Sequence, residues 1–403
     1  MHIKKIIYLL TLSFKLPFIY GLISPNKLLK GNVSFINSSK TYIFPGKHKP
    51  THNNVTLSGI QPTGEIHIGN YIGCISPCLK YQKLHSDLNV MIADNHAISG
   101  LKSNDNLKKY IRSTIALSIA SGINPEKTRI FVQSQFPQIL ELNWLLGSVV
   151  RTGKFYKIAQ FRNRQIKVSK ENLATFLYPL LMSSDIFALN ASSIIAGPDQ
   201  RIHLTLARYV ARKLNRYLDT NYFIVPQMVK GFTYKVKSLS NGRKKMSKSS
   251  ELKYDTINML DTDDDIYRKI KNAKTQSSED VMTPETSNLL HLYSFFSNKP
   301  YPELVKNTDL SKLFDLKMNL ADSIIDFLKP IKMFVLDISF KFRKYYEIIG
   351  DDKLFDQILS KSNEYLSPKL NRRIKVSPIS TTFSRKLKVF STSKLLMYYL
   401  III

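Results

Sequence analysis

The chain has only two cysteines, Cys74 and Cys78, in 403 residues. That count excludes a disulfide framework, and no histidine stands near them at metal-ligand spacing. Spaced i, i+4 on an expected helix, they share one face and read as small apolar residues turned to a core. Acidic residues are missing from both ends: none precedes Glu65 and none follows Glu364. Long apolar runs are missing too. Ile6 to Phe14 and Leu16 to Ile23 are separated by Lys15, and Leu395 to Ile403 is too short to cross a bilayer alone.

What is present is a large excess of base. Lys and Arg number 59 against 30 Asp and Glu, a formal charge of +29, which suits a polyanionic partner such as nucleic acid. Hydrophobic residues make up 43% and charged residues 22%, which places the chain among soluble globular proteins and gives it length for one large or two ordinary domains. The basic excess concentrates in two acid-free arms, Lys4 to Lys49 and Lys369 to Lys394.

Residues 1–50 read as a leader. Lys4 and Lys5 precede the apolar run, as in a signal peptide, and the Ser-, Asn- and Lys-rich stretch after it has a transit-peptide composition. In tandem they look like the bipartite leaders of an apicoplast-type plastid. A mitochondrial leader is the alternative, and an uncleaved anchor the third reading. No stable membrane association is expected after leader removal.

From residue 52 to 253 strand and helix signals alternate. Val55 to Leu57, Val90 to Ala93, Arg129 to Gln133 and Ser193 to Ala196 read as buried strands, with helices at Ile68 to Leu84, Leu107 to Ala120 and from Ile202 on, and helical material near 140–190. This βα rhythm predicts a Rossmann-like parallel α/β sheet with right-handed crossovers. Ligands then bind beyond the carboxyl ends of the strands, where Asp94 to His96, Gln133 to Gln135 and Asp199-Gln200 stand. From Tyr254 to Tyr365 the pattern becomes all-helical, with segments at Ile266 to Ile270, Ser287 to Phe296, Leu310 to Leu328 and Ile331 to Leu336. Residues 366–403 form a basic and apolar tail to which the sequence assigns no role.

Two short segments carry the chemistry. His67-Ile68-Gly69-Asn70 opens the first helix, with His67 and Asn70 on one side of its first turn. Gly69 leaves room for a purine against the backbone, and a helix start attracts phosphate. Lys245-Met246-Ser247-Lys248-Ser249 follows a polar loop, and two ammonium groups there can close over a pyrophosphate as its charge develops. The acidic run Asp261–Asp265 reads as a helix start rather than a metal cage.

Together and in this order, the two segments resemble the signatures of class I aminoacyl-tRNA synthetases. Within that class the chain resembles the bacterial-type tryptophanyl-tRNA synthetases. The matching blocks are Ser58 to Gly64, His67 to Gly73, Asp94 to Ile98, Tyr178 to Ile186 and Gly197 to His203. The resemblance covers about Leu57 to Tyr365. It implies ATP-dependent activation of L-tryptophan to an adenylate and transfer to tRNA(Trp), with Mg2+ travelling with ATP and no dedicated metal site.

The resemblance also implies roles. Asp185 would accept the indole N–H, with Tyr178 and Met182 on the same helical face. Gln200 and Tyr178 would hold the substrate ammonium, with His96 beside it. Gln61, Gly69, Asn70, Gly197, Asp199 and Met246 would contact ATP. Lys245 and Lys248 would clamp phosphate, with His67 and Asn70 in the catalytic set. The helical region 254–365 would read the anticodon, and the enzyme would be a homodimer. Three departures stand out: Leu57 where an aromatic residue is common, and Arg162 and Arg164 in place of lysines. The competing readings are a tyrosine-specific ligase, a non-catalytic RNA-binding relative and a small-metabolite adenylyltransferase.

Overall fold

A parallel sheet needs strands that are apolar on both faces, and the first two strands have that character. β1 (Val55–Ile60) and β2 (Asp87–Ile92) pair along their whole length, Val55 opposite Asp87 and Ile60 opposite Ile92. In this computed structural model the described residues are 55–84, 87–99, 107–153, 155, 172–229, 234–248, 252–275, 282–336 and 352–375. The leader, Arg162, Arg164, Ser249 and the apolar end 395–403 lie outside them.

β3 (Arg129–Val132), β4 (Ser193–Ile195) and β5 (Gln227–Met228) complete a five-stranded, all-parallel sheet in the order β3-β2-β1-β4-β5. The order reverses between β1 and β4, which opens a crevice at their carboxyl ends. β1 runs three residues past the expected end at Leu57, because Ser58, Gly59 and Ile60 continue to pair with Val90, Met91 and Ile92. β5, two residues long, carries too little pattern to be read from sequence.

Between β1 and β2 lie α1 (Ile68–Asn70), a π-helical turn (Tyr71–Ile75) and α2 (Ser76–Lys83). α3 (Asp94–Ile98) and α4 (Leu107–Ala120) connect β2 to β3, and α5 (Gln138–Val149) and α6 (Leu173–Ala188) connect β3 to β4. α7 (Arg201–Leu218) follows β4. α3 has no counterpart in the sequence reading; its five residues leave no room for a periodic pattern.

The pleat divides the strand side chains between two cores. Leu57, Met91, Phe131 and Ile194 face α5, α6 and α7. Val90, Ile92, Ile130, Val132 and Ile195 face the other way, against Ile72, Ile75 and Ile115. This second core continues without a break into the C-terminal helices α8 (Asp263–Lys271), α9 (Pro284–Ser297) and α11 (Leu313–Leu336), through Ile266, Leu289, Leu320, Ile324 and Leu328. Tyr71 packs edge-on against Phe327 at 5.1 Å between ring centres. α10 (Tyr301–Asn307) lies between α9 and α11 in sequence.

Two helices depart from the sequence reading. α11 runs straight through Pro330, where the pattern suggested two pieces. Buried Leu328 and Ile331 on either side hold the helix by packing against the loss of one backbone hydrogen bond. α12 (Asp352–Lys375) passes the expected boundary at 365. Its Leu366 and Leu370 are buried in the sheet's first core, so this part of the tail packs with the sheet. The acidic run does start a helix: Thr262 caps α8 by accepting the Asp265 N–H, and Asp263 to Asp265 fill the first turn.

Candidate active site

The expected residues gather where the sheet topology places them. Gln61 follows β1, Asp94 to His96 follow β2, Gln133 follows β3 and Gly197 to Gln200 follow β4. A buried strand ends there, and its next polar residue is left at the rim of the crevice.

One side of the crevice holds two hydrogen-bonded polar groups that meet at a ring contact. Asp185, on the buried face of α6, is 1% exposed. Its Oδ2 lies 2.8 Å from Nε2 of His96, and its Oδ1 accepts from Nε2 of Gln133 at 2.6 Å. A carboxylate oxygen has two lone pairs, so each can accept a further donor. The Tyr178 hydroxyl meets Nε2 of His203 at 2.7 Å, and the rings of Tyr178 and His96 stand edge to face at 6.3 Å. Met182, half-buried, packs at the edge of the same core. The helical spacing of Tyr178, Met182 and Asp185 therefore yields the shared face expected of it.

Two members of these groups had no assigned role. Gln133 is fully buried, and its Oε1 has no hydrogen-bond partner. Burial pushes the His203 imidazole down to about 4, Asp199 pulls it up and His96 pushes it further down, so it is neutral at physiological pH. The position of Gln133, first after a buried strand on the carboxyl edge, is the signal that singles it out.

The other side is cationic. Lys245 Nζ lies 3.2 Å from Asp199 Oδ2, and the same oxygen accepts from the Gln200 amide at 2.9 Å. Burial raises the Asp199 carboxyl, but Lys245 and Gln200 outweigh it and hold the group below its ordinary range. Lys248 Nζ donates to the Gln61 carbonyl at 2.9 Å. Burial lowers its ammonium to about 8, against a smaller upward pull from Cys74. Met246 turns away from the crevice. Its side chain is 1% exposed in the sheet's second core, so it anchors the segment rather than lining a nucleotide site.

The first signature serves a different local purpose from the one expected. His67 caps α1: its Nδ1 accepts the Gly69 N–H at 3.1 Å, and Asn70 Oδ1 accepts the His67 N–H at 3.3 Å. The Ile68 N–H goes to the Ile257 carbonyl and the Asn70 N–H to the His67 carbonyl. The first-turn donors are thus satisfied internally, and α1 offers no ready cradle for phosphate. Gly69 is required by the protein itself, since a Cβ there would meet the His67 ring at 2.9 Å. At Gly197 a Cβ would meet Asp199 Oδ1 at 2.6 Å. His67 is 3% exposed and is pushed down to about 3 by burial, then by Lys248 and Lys245. Both ammonium groups therefore act on the first signature, which couples the two segments electrostatically.

Cys78 is fully buried, as the core reading requires, while Cys74 is half-buried with its Sγ 2.9 Å from Ser58 Oγ. Among the described residues, no cluster of three or more His, Cys, Asp or Glu could hold a metal ion.

The comparisons agree with this geometry. The family described as "tRNA synthetases class I (W and Y)" matches residues 49–329. The chain is 35% identical over 315 residues to the tryptophan–tRNA ligase of Rickettsia typhi, covering 76% of this chain and 92% of that one. It is 34% identical over 330 residues to the chloroplastic/mitochondrial tryptophan–tRNA ligase of Arabidopsis thaliana, covering 77% and 78%. The crystal structure of tryptophanyl-tRNA synthetase from Mycoplasma pneumoniae superposes with a TM-score of 0.67 at 25% identity, covering 82% of this chain and 97% of that one. The switch of a parallel sheet at β1/β4 and the match of these relatives over most of both chains meet on one conclusion: the chain belongs to the class I tryptophanyl-tRNA synthetases and is a tryptophan–tRNA ligase.

Proposed function

We propose that this tryptophan–tRNA ligase works in organellar translation, with Asp185 reading the indole and Lys245 and Lys248 gripping the triphosphate. The observation that carries the residue roles is the gathering, at the carboxyl ends of β1 to β4, of a buried acceptor, Asp185, bonded to His96 and Gln133, and of two cations, Lys245 on Asp199 and Lys248 on the Gln61 carbonyl. Tryptophan would lie with its indole N–H on Asp185, held by the His96 and Gln133 bonds that keep the carboxylate aimed. Tyr178 and the amide oxygen of Gln200 would face the ammonium. Gln61, Gly69, Asn70, Gly197 and Asp199 would border ATP, with Mg2+ carried on the phosphates.

The reaction then follows in two steps. The tryptophan carboxylate attacks the α-phosphate, and pyrophosphate leaves with the charge that Lys245 and Lys248 stabilise. The 2′-hydroxyl of the tRNA's terminal adenosine attacks the activated carbonyl and releases AMP. Neither step needs an enzyme nucleophile, so positioning and charge supply the acceleration. The basic excess would hold tRNA phosphates, and the helices from 254 on would meet the anticodon.

The organellar context is supported by the leader composition and by a relative named as chloroplastic/mitochondrial. An apicoplast-type plastid is the preferred compartment, the mitochondrion the alternative. Homodimerisation is supported by an apolar pair on α5: Trp144 is 82% exposed and Leu140 lies one turn before it on the same face. The full chain fused to a fluorescent protein should co-localise with a plastid marker. A diffuse cytosolic signal would reject the organellar reading, and a mitochondrial signal would select the alternative. Equilibrium sedimentation should give a dimer that Trp144→Lys converts to monomer.

A further inference from the structure

The lysine segment is held from behind by the helical region, and one side chain dominates that hold. We infer that Asn288 is a positioning residue for adenylate formation, fixing the hairpin that carries Lys245 and Lys248; this rests on the phosphate-gripping role of those lysines proposed above.

The hairpin is short. Lys237 bridges Lys245 in antiparallel fashion, flanked by Met246 N–H to Val236 carbonyl at 3.0 Å and Ser238 N–H to Lys244 carbonyl at 2.9 Å. Asn241 to Lys244 make its turn. Asn288 sits on α9, is 1% exposed, and binds Lys237 as a neighbouring strand would. Its Oδ1 accepts the Lys237 N–H at 2.9 Å, and its Nδ2 donates to the Lys237 carbonyl at 3.2 Å. The same Oδ1 accepts the Tyr234 hydroxyl at 2.9 Å. One side chain in the helical region therefore fixes the residue directly across the ladder from Lys245.

The ends of α9 strengthen the hold. The Gly242 N–H donates to Glu285 Oε1 at 2.9 Å, and a Cβ at Gly242 would lie 2.5 Å from the Glu285 nitrogen. The Tyr234 ring stacks on His291 at 3.7 Å, and His291 stacks on Tyr301 at 3.7 Å. On its other flank the hairpin is tied by Leu239 N–H to Asp255 carbonyl and Lys274 N–H to Leu239 carbonyl. The Lys245 head reaches solvent while its backbone is anchored. Cations that stabilise developing charge must already be in place, and small displacements are expensive in rate. A buried asparagine binding both backbone groups of one residue leaves two buried polar groups unpaired when it is removed.

The test is a variant cycle read by tryptophan-dependent ATP–pyrophosphate exchange per titrated active site. Asn288→Ala should lower kcat by on the order of 10²-fold, with the KM for tryptophan within about twofold of wild type. Tyr234→Phe, which keeps the ring stack and loses one hydroxyl, should lower it by roughly threefold, the scale of one neutral hydrogen bond. Combining Asn288→Ala with Lys245→Met should lose clearly less than the product of the two single losses, because part of the Asn288 effect passes through Lys245. Wild-type exchange per site in Asn288→Ala, or multiplicative losses in the double variant, would overturn the inference. Should Asn288→Ala not fold, the same cycle with Tyr234→Phe decides, and a multiplicative loss there overturns it as well. If Lys245→Met and Lys248→Met both exchange normally, it is the lysine role that falls, whatever Asn288 does.

Discussion

The two rims of the crevice are built on opposite plans. On the amino-acid rim the functional groups are buried or half-buried and bonded to one another: Gln133 to Asp185, Asp185 to His96, Tyr178 to His203. On the phosphate rim the backbone is anchored, Lys245 is half-exposed at 51% of its side chain, and the Lys248 ammonium is shielded enough for burial to lower it to about 8. The difference matches the ligands proposed for each rim. An indole presents one N–H, and telling it from a benzene ring requires an acceptor that would be left unpaired by the wrong substrate. A triphosphate is recognised by charge, which tolerates approach through solvent and a looser fit. Rigidity serves selection on one side and reach serves electrostatics on the other.

Substitutions should separate the rims. The largest effect is expected for Asp185→Ala, which removes the proposed indole acceptor and strands the Gln133 amide and the His96 ring. The value of kcat/KM for tryptophan should fall by about 10³-fold or more, and discrimination against phenylalanine should shrink with it. Steady-state exchange with both amino acids measures this, and unaltered selectivity would remove Asp185 from the pocket. Next, Lys248→Met should lower exchange by on the order of 10²-fold while equilibrium binding of tryptophan stays unchanged. A matching loss of tryptophan affinity would erase the distinction between the rims.

The pH dependence offers a finer test. Lys248 is held to about 8, so it is charged below that value and neutral above it. The KM for ATP should therefore rise as pH passes upward through about 8, and Lys248→Arg, with a guanidinium that stays charged, should flatten the rise. A separate effect concerns stability rather than rate. His67 is held near 3 when folded against an ordinary 6.5, so the unfolded chain binds the proton more readily. Its contribution is complete above pH 6.5 and is lost as pH falls from there towards 3, by up to about 5 kcal/mol at the acid end. Denaturant titrations of wild type and His67→Asn from about pH 7 to about pH 4 should diverge in that direction. Parallel curves would mean that His67 is not buried neutral.

How much of this was legible in the sequence depended on the kind of signal. Leu107–Ala120 is a helix of the extent its pattern indicated, and the strands at Val90 and Arg129 fell within three residues at either end. Continuous apolar runs announce a doubly covered sheet. The three-way spacing of Tyr178, Met182 and Asp185 announced a shared face. What stayed hidden depends on distance along the chain. Gln133 lies 52 positions from Asp185 and Asn288 lies 51 from Lys237, so no local periodicity links either pair. The burial of the Met246 side chain was hidden for a related reason: it is decided by a core assembled from distant segments, not by the residue's neighbours in the motif. His67 was assigned to chemistry where its ring first of all caps its own helix.

The core shared by the sheet and the C-terminal helices has a consequence for how this enzyme can be divided. Ile72, Ile130 and Ile195 share one interior with Ile266, Leu289 and Leu328, so neither half carries a complete interior of its own. Cutting at residue 254 would bare a wide oily face on each piece. The two halves should melt together in a single calorimetric peak, and exchange of the helical portion between relatives should need matching changes on the sheet's side of that interior.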